Sequence, residues 1–138
     1  MRIRFLFLGL LVVASALPCL AQGFVTESLR IPMQAAGAEG LEALLVKPDG
    51  KGPFPLALIN HGSPREATDR PGMTPQQMLP QMLEFARRGF AAVSVMRRGC
   101  GASGGGWAET YGACAAPDYV SAGRAAAADL KATIAALA

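Results

Sequence analysis

The sequence predicts an α/β domain built on a largely parallel sheet, and three features predict it. LALIN, at 56–60, is a short run apolar on both faces, as in a strand covered on two sides. Phe90 to Met96 is a second apolar, valine-containing run. Between them lies a segment with apolar residues at helical spacing. A strand, a helix and a strand in that order indicate a crossover unit and parallel pairing.

The chain opens with MRIRFLFLGLLVVASALPCLAQG. Arg2 and Arg4 give a basic start, Phe5 to Val13 is apolar apart from Gly9, and Cys19-Leu20-Ala21 places small side chains where a signal peptidase reads. The expectation is export to the periplasm or beyond, with cleavage after Ala21. An uncleaved anchor is the alternative, but the apolar run is marginal against the roughly 20 residues a span requires. A lipid on Cys19 is disfavoured by Pro18 before it. Residues 22–138 then form one small domain.

Phe24 to Ile31 alternates loosely and reads as an edge strand; Leu41 to Lys47 is a second, closed by the turn signal Pro48-Asp49-Gly50. Thr74 to Arg88 reads as a helix, with Thr74-Pro75-Gln76-Gln77 in a capping-box pattern and Gly89 as its stop. Pro80 is the flaw, since an interior proline removes a backbone bond. RRGCGASGGGWAETYG follows the strand at 90–96 and has neither period. A last helix opens at Asp118 or Ser121, with Ala127, Leu130, Ile134 and Leu137 on one stripe.

The formal net charge of +3 owes two units to Arg2 and Arg4. The basic balance is therefore no argument for nucleic acid or an anionic membrane as partner. Cys100 and Cys114 remain after cleavage; a disulfide in an oxidising compartment and two unpaired residues are both open. One histidine and scattered cysteines give no metal-ligand spacing, and no cofactor is expected.

Two segments carry the functional signal together. INHGSP at 59–64 ends one strand, and FARRGFAAVSVMRRGCGASGG at 85–105 runs from helix end through strand into an Arg-Gly-x-Gly-x-Ser-x-Gly loop. In this order and spacing they resemble the α/β-hydrolase superfamily, in its dienelactone-hydrolase and S9-peptidase-like branch. The resemblance covers roughly 40–138 and implies the N-terminal half of that fold. It also implies that His61-Gly62-Ser63 is the oxyanion loop, with the N–H of Ser63 as one donor. Fixed N–H groups stabilise the charge of a tetrahedral intermediate, and glycine permits close approach. The bland alternative is a tight turn.

Two literal patterns compete. Gly101-Ala102-Ser103-Gly104-Gly105 satisfies G-x-S-x-G, but a nucleophile elbow turns from strand directly into helix. Here Arg97 to Cys100 intervene and Gly105-Gly106-Trp107 follow, so Ser103 is a weak candidate nucleophile. Gly99 to Gly104 matches G-x-G-x-x-G, with Glu109 or Asp118 available as an acid. No helix opens there to face a pyrophosphate.

His61 is the only histidine, and a serine hydrolase of this kind needs a histidine base. By the resemblance His61 is committed to the oxyanion loop; a His61/Asp69/Ser103 triad can be drawn, but nothing supports its geometry. Arg97-Arg98 could bind a substrate carboxylate or, the favoured reading, form ion pairs at the strand end. Arg98, Trp107 and Tyr111 are candidates for a substrate-side loop. The expectation is an exported serine hydrolase for a small ester or peptide substrate, represented by its N-terminal portion and inactive alone. By the resemblance the nucleophile strand would lie beside LALIN, so LALIN is expected to be an exposed, self-associating edge. A non-catalytic binding protein and a complete small hydrolase using Ser103 are the alternatives.

Overall fold

A computed structural model describes residues 23–64 and 66–138. The expected signal segment, with Cys19 and the expected cleavage point after Ala21, lies outside the described residues. Four strands form one sheet: β1 (Phe24–Ile31), β2 (Leu41–Pro48), β3 (Leu56–Asn60) and β4 (Ala91–Val95), in the order β1-β2-β4-β3. β1 pairs antiparallel with β2, and β2 antiparallel with β4; β3 and β4 are parallel. The sheet is therefore mixed. The expected parallel character holds for the β3–β4 pair, which a helix connects, and not for the strands before it.

The sheet is sandwiched between two helices, α1 (Leu79–Arg87) and α2 (Tyr119–Leu137). Alternation along β2 and β4 sorts the core. Leu44, Val46 and Ala92 pack with Met82 and Ala86 of α1, whereas Ala43, Leu45, Val93 and Val95 pack with Leu130 and Leu137 of α2. β2 and β4 are thus covered on both faces. LALIN, expected to be covered likewise, is half-buried at the end of the strand order, and Leu56 is 36 % exposed.

The helices correct the sequence reading in two places. A 3₁₀ turn occupies Pro75–Met78, so α1 starts only at Leu79 and Pro80 falls in its first turn, where no N–H is missed. The Thr74 side chain makes no capping bond. At the other end Gly89 adopts a left-handed conformation, φ 85°, as a helix stop requires. α2 opens at Asp118, whose carboxylate accepts the Ser121 N–H at 2.9 Å. Its inward face, however, holds Asp129 and Thr133, while Ile134 of the expected apolar stripe is 46 % exposed. The buried Asp129 is satisfied by Arg98, whose backbone N and Nε donate to it at 2.8 and 2.7 Å. An ion pair therefore seats this helix where an apolar side chain was expected.

Among the described residues no helix is long and apolar enough to cross a membrane.

Ser94 lies on β4 between Leu44 and Ile59, fully buried, and its hydroxyl has no hydrogen-bond partner among the described residues. A buried hydroxyl without a partner carries a desolvation penalty. Ser94→Ala should therefore raise unfolding stability by about 1 kcal/mol, measured as a shift in denaturant midpoint. A loss of stability would show that the hydroxyl is satisfied.

Candidate active site

Parallel pairing sets the site. Asn60 sits opposite Val95, so both strands end together and deliver His61 and Arg97 side by side. The ends of parallel strands are where open α/β sheets place ligands. A cleft of about 860 Å³ opens there, between the His61–Pro64 segment, Arg70, the 107–112 stretch and the start of α2.

Arg97 organises this end of the molecule. Its side chain is 6 % exposed, and a buried guanidinium must be paired and have its donors satisfied. Nε and Nη2 donate to the two carboxylate oxygens of Glu109, the second at 3.0 Å. Nη1 donates to the His61 carbonyl at 2.8 Å and reaches Asn60 Oδ1 at 3.5 Å. Nη2 also approaches Ser63 Oγ at 3.5 Å, and that hydroxyl donates to Glu109 at 2.7 Å. Burial by itself pushes the Glu109 carboxyl up. The hydrogen bonds from Arg97 and Ser63, with the Arg97 charge, outweigh it and hold the group below the ordinary carboxylate range.

His61 completes the clamp. The Arg97 backbone N–H donates to Nε2 at 3.1 Å, so Nε2 is an acceptor; Nδ1 lies 2.7 Å from the Gly62 carbonyl and must carry the proton. The ring is therefore neutral with both nitrogens engaged. Burial lowers its pKa first of all, with the Arg97 charge acting in the same direction. No lone pair remains to take a proton from a serine. Gly62 and Ser63 are exposed at the cleft mouth, and neither backbone N–H donates to another described residue.

The glycine-rich loop is packed for another purpose. Ser103 Oγ donates to the Met96 carbonyl and accepts the Glu42 N–H at 2.8 Å, which stitches the loop to β2. It does not line the cleft, and neither Asp69 nor His61 bonds to it. The Ser103-centred triad is therefore not assembled. Gly104 presses on the turn at 34–39: a Cβ there would lie 1.9 Å from the Ala36 carbonyl oxygen. Gly99, at φ 76°, brings the Trp107 backbone so close that a Cβ would meet its nitrogen at 2.6 Å. The loop opens no helix, so the dinucleotide pattern lacks its anion site.

Of the substrate-side candidates, Trp107 and Tyr111 line the cleft; Arg98 does not and is held by Asp129. Cys100 is buried and Cys114 exposed, both as free thiols, so the pairing left open in the sequence is not made. Burial pushes the Cys100 thiol up, away from reactivity. Among the described residues no group of three His, Cys, Asp or Glu side chains could hold a metal ion.

Sequence reasoning missed two residues. Glu109 was weighed only as a nucleotide acid, although a strand-end arginine inside an apolar setting demands a carboxylate nearby. Arg70 gave no signal at all; it reaches the cleft from a 3₁₀ turn over Ala67–Gly72, with its guanidinium 4.0 Å above the Trp107 ring.

The sequence model of the X-Pro dipeptidyl-peptidase (S15) family matches residues 37–137. The chain belongs to this family. S15 proteins are α/β-hydrolase-type serine peptidases, so the superfamily resemblance carried by the two loops is established at that level. The S15 match spans the oxyanion-loop candidate, the glycine-rich loop and both helices. No curated protein matches the chain.

The His61 geometry makes a pH prediction. Its folded pKa is lowered from 6.5, so between the two values the unfolded chain binds more protons. The stability it contributes is complete above about pH 6.5 and is lost as pH falls through the lowered folded value. Denaturant midpoints measured from pH 7.5 down to about pH 5 should fall, and His61→Gln should flatten that slope. An unchanged slope in the variant would refute the neutral, doubly bonded ring.

Proposed function

We propose that residues 22–138 build the oxyanion-loop side of the active site of an exported S15-type serine hydrolase. In this reading the substrate carbonyl lies over Gly62-Ser63 in the cleft, and the Ser63 N–H donates to the oxygen as it becomes negative. The observation that carries it is the pair of unused N–H groups at Gly62 and Ser63, held at the ends of parallel strands by the Arg97–Glu109–His61 clamp. A loop fixed in advance loses little on reorganisation when charge develops. The reaction is acyl transfer from a peptide bond. Esters and lactones stay within the same chemistry, since the loops also resemble those of dienelactone hydrolases and S9 peptidases.

The nucleophile and base are proposed to lie outside residues 22–138. His61 uses both ring nitrogens, and Ser103 is bonded to Met96 and Glu42. The second reading, a non-catalytic binding protein, is favoured by the same engagement of the single histidine. The signal segment supports export, with cleavage after Ala21. The half-exposed β3 edge supports self-association.

Labelling with a fluorophosphonate probe tests this. Residues 22–138 alone should not label. A product of the same reading frame carrying a further G-x-S-x-G elbow and a later histidine should label and hydrolyse an acyl substrate. There Ser63→Pro, which deletes the N–H, should lower kcat by about 10²–10³-fold with a smaller change in KM. Labelling of 22–138 that vanishes in Ser103→Ala would overturn the proposal; a frame with no elbow would favour the binding protein.

A further inference from the structure

Among the described residues, the charged side chains lining the cleft are Arg70, Arg97 and Glu109, and one of these cations is not neutralised by the others. Arg97 and Glu109 neutralise each other, and His61 is neutral by its hydrogen bonds. Arg70 forms no ion pair, and its guanidinium donates no hydrogen bond, among the described residues; its buried Nε has no partner. Burying donors without partners is costly, and a guanidinium presents its fork to carboxylates.

Arg70 is also held in place. Its carbonyl accepts the Gly101 N–H at 2.8 Å and the Met73 N–H at 3.2 Å. Its guanidinium stacks on Trp107, whose position is set by the close approach at Gly99. A cation stacked on an indole keeps its edge donors free for a ligand in the ring plane. An arginine there only to stabilise the fold would be expected to find one of the chain's carboxylates. Glu109 lines the same cleft, yet both its oxygens go to Arg97 and Ser63.

We propose that Arg70, seated on Trp107, binds a carboxylate of the substrate, so that the cleft selects acyl compounds bearing one negative charge away from the reacting carbonyl. The proposal rests on the cleft being the substrate site. The carboxylate can be a peptide C-terminus or an acidic side chain; the chemistry recognised is the same, and the ligands below separate the two. Arg97 does not compete for it, because its donors are already taken up by Glu109, His61 and Asn60.

Trp107 is the only tryptophan in the sequence, so its fluorescence reads the subsite directly and requires no catalysis. The protein is titrated with N-acetyl-dialanine, with N-acetyl-aspartate methylamide, with uncharged N-acetyl-dialanine amide and with inorganic phosphate. Saturable changes should appear with at least one carboxylate, with affinity about tenfold or more above that of the amide. The tighter of the two carboxylates identifies the source. Arg70→Gln should remove the preference and Arg70→Lys retain part of it, with circular dichroism confirming the fold of each. Equal responses to acid and amide overturn the proposal, as does a response to phosphate matching that to the carboxylates. A carboxylate preference, together with a reading frame that holds no further elbow or a longer product that carries one and still does not label, sustains the subsite while the hydrolase reading falls.

Discussion

The buried Arg97 guanidinium is the constraint from which the site follows. A guanidinium cannot give up its charge, so a sequence that draws one below the surface at a strand end must surround it with acceptors. Glu109, the His61 carbonyl and the Asn60 side chain supply them. Asn60 ends β3, but His61 and Glu109 come from segments with no regular structure to fix them. The glycine-rich loop beyond Arg97 is drawn back over the cleft by Glu109, and the segment after β3 is drawn against the end of β4. Removing one member of such a pair is costly, about 3–5 kcal/mol, because the other charge is left buried. The pair is thus better understood as fixing position than as adding net stability.

The sheet makes that clamp available. Parallel pairing of β3 and β4 ends both strands on the same side, and the tight apolar packing of β4 between α1 and α2 keeps those ends in register. The loop after β4 then needs its glycines. Gly104 lies against Ala36 where no side chain fits, Ser103 bridges Met96 and Glu42, and Gly99 lets Trp107 fold back. What resembled a nucleophile motif is a seam that holds a loop to β2. The backbone N–H groups proposed to stabilise the oxyanion lie one strand away, after β3.

Much of this was legible in the sequence. All four strands, the Gly89 stop and the Asp118 cap have local causes, namely short apolar runs, a left-handed residue and a side chain that bonds its own helix. The errors have nonlocal causes. Pro80 looked like an interior fault because the 3₁₀ turn before it blurs the start of the helix. Ile134 was assigned to the buried stripe of α2, but the Arg98–Asp129 pair turns the helix so that Asp129 and Thr133 face inward. The antiparallel placement of β1 and β2 leaves no mark on strands that read as apolar either way. The oxyanion-loop candidate was found through resemblance, whereas Glu109 and Arg70 required the tertiary structure, since pairs 12 residues apart or joined through a stacked ring have no periodic signature.

If the Arg97–Glu109 pair holds the oxyanion-loop candidate, then breaking it must free that loop before it disturbs the sheet. Amide hydrogen exchange of Glu109→Gln measures this residue by residue. The account predicts at least about tenfold faster exchange at the Arg97 N–H, which donates to His61 Nε2 across the clamp, as expected for local opening made easier by more than about 1.4 kcal/mol, with Val93 and Val95 in β4 still protected. Unchanged exchange at Arg97, or uniform acceleration across the sheet, would contradict it.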